Sequence, residues 1–399
     1  MIPYLLMAFL YTLVAVLMAA AASFTSLTLL PWFNGMVWLR VHFVTLGFLT
    51  QILFGGLPLL TAKRYGQPPP ATRWDIWVTL NGGIVLLLIG IPLVSALPII
   101  AGGTLALIAA GLLTGQLLAL RPMADSPGPR SVGRKFYIAG LVYFLVGIVV
   151  GTGLFTGWAK PLGIVGNAKE VHIHANNWGL MSLAFAGLWV DLYPVWAKRP
   201  LAYPRTIPFI FWAMTLGAFG LIFGPWFQVQ WLLVPGLVLH LAATIALLIN
   251  VVVPLRGDKQ AQSIGMWHLV TSYFWLLAPI LTAPFVLFGI GELPAAAIEG
   301  AAPQALIYGW LLQFGTAVVP YFFQRYLLGD EHAILGGTKL SFVLINLGSI
   351  LLWAGIFIEP ARGTLYGLAY LSWAVALLPV AADLWRKTQA GMASKETAF

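Results

Sequence analysis

Long apolar runs decide what this sequence can fold into. Along its 399 residues, one run of 18 or more apolar residues follows another. Each is long enough to cross the ~30 Å hydrocarbon core of a bilayer as a helix. Charged residues make up only 8% of the chain, against about 25% in a soluble domain. The longest polar stretch, residues 121–135, has the length of a loop. The pattern predicts an all-α polytopic membrane protein, with residues 1–399 forming a single membrane domain.

Hydropathy divides the chain into about twelve transmembrane helices. The predicted spans are residues 4–30, 37–62, 74–98, 99–121, 134–158, 170–196, 205–227, 230–255, 266–291, 302–327, 337–358 and 361–386. A tight turn at Pro98 and the AGG stretch after it is predicted to separate the third span from the fourth. The N-terminal run has no basic segment before it, so we interpret it as a first membrane helix rather than a cleaved signal peptide.

Lysine and arginine are distributed unevenly between the two sets of loops. Of the 21 basic residues, 17 lie in the even-numbered loops and the C-terminal tail. Because basic residues concentrate in cytoplasmic loops, this bias predicts that both termini are cytoplasmic and that the chain lies in the inner (cytoplasmic) membrane. The basic loop residues also account for the net charge of +9. We therefore expect the partner of the chain to be a lipid bilayer and not a nucleic acid. The chain has no cysteine, which excludes disulfides, thiolate metal sites and covalently attached haem.

Three stretches of the sequence share a pattern at intervals of 132 and 130 residues. They begin at His42, His174 and Gln304, and a glycine follows five residues later in each (Gly47, Gly179 and Gly309). Glycine is common here, with 42 residues, so a single match would mean little. Three matches, each in the second helix of four, indicate a pseudo-repeat of three four-helix units, at approximately 1–125, 126–258 and 259–399.

The stretch EVHIHANNWG places His172 and His174 two residues apart at the start of the sixth span. Residues i and i+2 of an α-helix point ~200° apart, so the two rings are expected to serve two sites on opposite faces rather than to chelate one metal. An ionisable residue in a membrane segment predicts a functional site. Neutral imidazole is a good ligand for haem iron or copper. The alternative is that both rings are hydrated structural groups at the level of the lipid headgroups.

Three further residues complete the candidate site. His42 is equivalent to His174 in the repeat and is the strongest candidate for a haem ligand. Arg40 lies two residues earlier and either pairs with a haem propionate or extends to the membrane surface. His240 lies ten residues into the eighth span, where it is a ligand, a proton-relay residue or a helix-to-helix hydrogen-bond partner. His268 is predicted to be interfacial and His332 to be solvated in a loop.

These features resemble subunit I of the haem–copper oxidase superfamily, of which the chain would be a divergent orphan relative. NnrS-like haem proteins of denitrification are the nearest alternative. The stretch HFVTLGFLTQILFGGLPLL from His42 is similar to the second-helix pattern of the oxidases, in which the histidine is an axial ligand of the low-spin haem. The stretch VHIHANNWG resembles their His-x-His helix, whose two histidines hold two haems on opposite faces. The resemblance implies haem b, with His42, His174 and His172 as ligands of haem iron.

The sequence also departs from the oxidase pattern. The His-x-His pair lies on the sixth span instead of the tenth, where Gln304 takes the equivalent place. The seventh span has no histidine for the oxidase copper site, so copper would need a different set of ligands.

We therefore expect a membrane protein that binds haem b and acts in respiratory or denitrification electron transfer, or handles nitric oxide or O₂. One alternative is a metal-free, non-catalytic membrane subunit that anchors a respiratory redox complex, with a cytochrome or other respiratory subunits as partners. A transporter is the weaker alternative, because charged residues at mid-membrane are missing. The sequence identifies no catalytic residue, and enzymatic activity is left open.

Overall fold

A computed structural model describes residues 1–23, 36–123 and 132–396 of the chain. Helices joined by short loops make up these residues, which include no β-strand. Eleven helices within the described ranges are long and apolar enough to cross a membrane. This confirms the prediction of a polytopic helical membrane protein.

The helices are numbered α1 to α12 after the predicted spans. Nine are regular: α1 (Ile2–Ser23), α3 (Trp74–Gly90), α4 (Ala96–Ala119), α5 (Gly133–Thr156), α7 (Ile207–Phe227), α8 (Gln230–Val252), α9 (Ile264–Leu287), α11 (Lys339–Phe357) and α12 (Arg362–Glu396). With 17 residues, α3 is the one that falls short of the eleven spanning helices. Caps define several ends: the side chains of Asn167, Ser263 and Thr338 each accept a backbone N–H of the first helical turn that follows.

The other three helices, α2, α6 and α10, each contain a π-helical stretch. In α2, Phe43–Leu49 lies between Met36–His42 and Thr50–Arg64. In α6, Ala175–Met181 lies between Ala168–His174 and Ser182–Trp196. In α10, Leu306–Leu311 lies between Ala295–Ala305 and Leu312–Tyr326. Hydrogen bonds of the π type run from i to i+5 and are rare outside single-turn bulges, which are frequent at functional sites.

These three helices are also far more buried than the others. The most apolar window is 89% buried in α2, 83% in α6 and 100% in α10, whereas it is 28–61% buried in the other eight spanning helices of the described chain. Each of the three therefore packs against protein around most of its circumference. The remaining helices carry exposed leucine, valine, phenylalanine and tryptophan side chains, which suit contact with lipid.

The chain divides into two compact units, which are described separately. The terminal unit comprises Met1–Ile52 with Lys259–Phe399, and the central unit comprises Leu53–Asp258. In the central unit, α3 pairs with α4, α7 pairs with α8, and α5 packs along α6. In the terminal unit, α11 pairs with α12, α9 packs along α10, and α1 packs against α12.

The glycine of the repeated pattern lets α2, α6 and α10 each pack closely against the preceding helix, which is α1, α5 and α9 respectively. A Cβ added at Gly179 of α6 would collide with Tyr143 of α5. A Cβ at Gly309 of α10 would lie 2.7 Å from the ring of Trp275 in α9, and one at Gly47 of α2 would lie 2.7 Å from the ring of Tyr11 in α1. Small residues of this kind let membrane helices pack at short distance.

Two predicted boundaries need correction, and a third is not tested. The turn between the third and fourth spans is at residues 91–95, not at Pro98, and Pro98 lies in the first turn of α4. A proline is tolerated there because the first-turn N–H groups have no intrahelical acceptor. The tenth helix begins at Ala295, seven residues before the predicted 302. The end of the predicted first span, residues 24–30, lies outside the described residues.

Candidate functional site

His172 points from α6 toward α5 in the central unit. Its Nδ1 lies 2.8 Å from the carbonyl oxygen of Gly147. The amide of Asn176 lies 3.3 Å from the same Nδ1 and donates to the His172 carbonyl at 2.7 Å. A Cβ at Gly151 would lie 2.5 Å from both Nδ1 and Cε1 of the ring. Gly147 and Gly151, one helical turn apart, therefore form a cradle on α5 that receives the His172 ring and the Asn176 amide.

His174 points to a different helix. Its Nδ1 hydrogen-bonds with the carbonyl oxygen of Leu221 in α7. The carboxylate of Glu170, one turn earlier on α6, lies 4.0 Å from Nε2. The two histidines of the His-x-His stretch thus contact α5 and α7 respectively, as their two-residue spacing predicts.

His240 of α8 forms a buried polar cluster next to His174. Its Nε2 lies 3.0 Å from the hydroxyl of Ser182, and its Nδ1 lies 3.5 Å from the hydroxyl of Thr244. All three side chains are fully buried. The indole of Trp178 contacts both histidines edge to face, with ring centroids 6.2 Å from His174 and 5.3 Å from His240. The cluster links α8 to the part of α6 that carries His174.

In the terminal unit, His42 and Arg40 have different partners. The Nδ1 of His42 lies 2.8 Å from the carbonyl oxygen of Trp38, and the two rings stack at 4.3 Å. The guanidinium of Arg40 lies 5.2 Å from the ring centre of Tyr370 in α12. The backbone carbonyl of Arg40 accepts the hydroxyl of Tyr308 at 2.8 Å. The Nε of Arg40 is buried and has no hydrogen-bond partner among the described residues.

Gln304 occupies the histidine position of the pattern in α10. Its Oε1 accepts the hydroxyl of Tyr370 at 3.1 Å, so the glutamine links α10 to α12. Tyr308, one turn later, stacks on Trp373 at 4.5 Å. Aromatic rings of α10 and α12 therefore pack around this part of α10.

His268 lies near the start of α9, and its position relative to the membrane interface stays a prediction. The side chain is fully buried, and its Nε2 lies 3.1 Å from the hydroxyl of Ser341 at the start of α11. Packing of α9 against the capped end of α11 encloses the ring, a long-range contact that the local sequence does not reveal. His332 is exposed in the loop before α11, as predicted.

Hydrogen bonds define the protonated ring nitrogen of three histidines. The Nδ1 atoms of His42, His172 and His174 all lie at a backbone carbonyl. A carbonyl accepts only a proton, so Nδ1 is the protonated nitrogen and Nε2 carries the lone pair. Metal-ligating histidines are held in this way. Each ring nitrogen of His240 lies near a hydroxyl group, and the ring also hydrogen-bonds with the backbone of Trp178, one turn before Ser182. Within the described part of the chain, no three histidine, cysteine or acidic side chains come together as a metal-binding group.

Several residues of the site could not be identified from the sequence. Ser182 and Thr244 carry the His240 cluster, and Gly147 and Gly151 carry the His172 cradle. The only local indication was the G-x-x-x-G spacing of Gly147 and Gly151, which is typical of close helix packing in membranes.

Comparison with known proteins adds no relative to this description. No protein-family model matches the chain, and no curated protein matches it. The candidate site therefore rests on its own geometry.

Proposed function

We propose that this chain is an integral membrane protein that binds haem b through His42, His172 and His174, and that it acts in respiratory or denitrification electron transfer or in handling nitric oxide or O₂. One observation carries the proposal: all three rings have Nδ1 at a backbone carbonyl, which presents Nε2 as the ligand nitrogen. Haem supplies a one-electron couple and a binding position for a diatomic gas when it is bound.

The protein's own residues orient the ligands in this proposal. Gly147 and Leu221 hold the His172 and His174 rings through their carbonyls. The buried Nε of Arg40, which has no partner in the described part of the chain, suits a haem propionate, which is a carboxylate. His240 acts as a positioning residue, because its hydrogen bond to Ser182 ties α8 to the ligand-bearing helix. No residue is assigned a catalytic step.

We also propose that the chain consists of three four-helix repeats, at approximately 1–125, 126–258 and 259–399. Corresponding helices begin at intervals of 130 to 134 residues: α1, α5 and α9; α3, α7 and α11; α4, α8 and α12; and the segments after the π-helical stretches of α2, α6 and α10. The aromatic rings against the repeated glycines, Tyr11, Tyr143 and Trp275, are each 132 residues apart. The π-helical stretches recur at matching intervals. This recurrence supports the proposal that His42, His174 and Gln304 derive from one ancestral position.

The orientation belongs to the same proposal. Loop lysine and arginine residues favour cytoplasmic termini in an inner membrane. The histidines near the starts of α2 and α6 then lie toward the outer side, where a respiratory cytochrome or another redox subunit is a suitable partner.

An absorption spectrum of the purified chain tests the proposal. We expect a Soret band and a haem b signature in the pyridine haemochrome assay. The variants His42→Ala and His174→Ala should each weaken and shift the band. His332→Ala removes a histidine from an exposed loop and serves as the matched control, with an unchanged spectrum.

The opposite results would count against haem binding. A folded wild-type chain without a Soret band, expressed with sufficient haem, would exclude the proposal. Co-purification of a cytochrome with a chain that itself lacks haem would instead support the metal-free anchoring subunit.

A further inference from the structure

The central unit has an open groove of about 600 Å³ beside the end of α6. The groove lies between the last turns of α6, the loop that follows and the start of α7, and Val132 before α5 also lines it. Its volume falls within the ~300–1,000 Å³ of small-molecule sites. None of the candidate haem ligands lines it, so the groove is a separate feature of the fold.

Most side chains along the wall of the groove are apolar, and several of its backbone positions have no N–H group. Val190 of α6, Leu201 of the loop and Ile207 of α7 supply aliphatic side chains. Four prolines also line the groove: Pro194, Pro200, Pro204 and Pro208. Proline has no backbone N–H, so these four positions offer no main-chain donor to a polar ligand. A hydrocarbon chain matches this surface.

One edge of the groove is cationic. Lys198 and Arg199 both line it. Arg199 forms an ion pair with Asp258 and is thereby neutralised. Lys198 is exposed and forms no ion pair within the described ranges. Its φ of 53° lies in the left-handed region, as is common for the residue that follows the C-cap of a helix. The groove thus combines an apolar wall with one uncompensated positive charge.

We propose that this groove binds one anionic phospholipid, with an acyl chain along the proline-lined wall and the phosphate group at Lys198. Charge complementarity selects the anionic lipid over a zwitterionic one, since basic pockets between membrane helices attract acidic headgroups. The position at the ends of two apolar helices, where the chain leaves the membrane, places the charge at headgroup level. This inference stands independently of haem binding.

Native mass spectrometry of the detergent-purified full chain tests it, with phosphatidylglycerol and phosphatidylcholine of identical acyl chains. A basic residue near an anionic headgroup corresponds to a preference of about fivefold. We expect that preference for phosphatidylglycerol in the wild type and its loss in Lys198→Ala. The control Lys160→Ala removes an exposed lysine from the loop after α5 in the same unit and should keep the preference. The variant Val190→Trp retains Lys198 but fills the groove, and it should weaken binding of both lipids.

Three outcomes would overturn the inference. The first is equal binding of the two lipids by the wild type. The second is an equal loss of preference in Lys160→Ala and Lys198→Ala, which would show a general effect of net charge. The third is unchanged binding by folded Val190→Trp, which would place the lipid elsewhere.

Discussion

The heads of α6 (residues 168–181) and α10 (residues 295–311) have the same backbone geometry but different side-chain chemistry. Each is a buried helix with a π-helical stretch near its start and a glycine packed against an aromatic residue of the preceding helix. In α6 the polar side chains at the head, His172 and His174, hydrogen-bond with backbone carbonyls of other helices. In α10 the corresponding Gln304 bonds with the side chain of Tyr370.

The two heads differ in whether their hydrogen bonds fix the orientation of a side chain. A backbone carbonyl inside a helix is a fixed acceptor, so it sets both the ring orientation and the protonated nitrogen of a histidine. The amide of Gln304 and the hydroxyl of Tyr370 can both rotate, and each can donate and accept. Such a pair joins two helices without presenting a ligand atom. Under the proposed function, the α6 head therefore binds haem, whereas the α10 head serves only helix packing.

The largest expected effect comes from replacing the polar residue of one head, and the equivalent change in the other head is its control. His174→Leu removes a proposed axial ligand and should lower haem content about tenfold or more, which corresponds to losing at least ~1.4 kcal/mol of binding free energy. Gln304→Leu should leave haem content unchanged. Haem extracted per mole of purified protein measures both. A similar loss in the two variants would mean that the heads do not differ in function.

A second effect concerns the cradle of His172. Gly151→Ala places a Cβ 2.5 Å from the imidazole, so the ring must move away from the Gly147 carbonyl. Overpacking of this kind costs about 1–3 kcal/mol. We expect the free energy of unfolding in detergent to fall by that amount, together with a change in the haem spectrum.

Gly111→Ala is the control for the cradle. A Cβ at Gly111, in the middle of α4, meets no atom within 4 Å, and alanine is the better helix former by up to about 1 kcal/mol. The control should therefore keep or raise stability. Equal destabilisation by both substitutions would show that a generic helix effect, rather than contact with His172, is responsible.

Much of this comparison could be predicted from the sequence, and the rest depends on packing. The apolar runs predict α6 closely, and helical geometry predicts that His172 and His174 contact different helices. Their acceptors could not be predicted, because the Gly147 and Leu221 carbonyls are brought near by contacts between helices. Each π-helical stretch contains the glycine of the repeated pattern, but its i to i+5 hydrogen bonding becomes visible only in the backbone. Pro98 misled the assignment of a boundary because a proline can either end a helix or begin one.

A third prediction concerns the buried cluster that supports His174. Ser182→Ala removes the hydroxyl that lies 3.0 Å from Nε2 of His240. Hydrogen bonds between membrane helices contribute about 0.6 kcal/mol on average and up to about 1.7. We expect a loss toward the upper value, because both side chains are fully buried and water cannot replace the partner.

Ser349→Ala is the matched control in the terminal unit. Ser349 is also fully buried, but its hydroxyl donates to the carbonyl of Ile345 in its own helix. Its removal breaks no hydrogen bond between helices of the described chain, so unfolding free energy should change by less than the change in Ser182→Ala. The reverse order would contradict a supporting role of the His240 cluster.

The smallest expected effect is at the α10 head. Tyr370→Phe removes the hydroxyl that donates to Gln304 but keeps the ring beneath the Arg40 guanidinium. Gln304 is half-buried, so its amide can recover part of the lost bond from water or a lipid headgroup. We expect a loss of about 0.6 kcal/mol or less in unfolding free energy and no change in haem content. In the control Tyr366→Phe, on the same helix, the hydroxyl has no hydrogen bond within the described residues, and stability should not change. A loss of haem in Tyr370→Phe would show that the α10 head is part of the binding site, which would reverse the distinction drawn between the two helices.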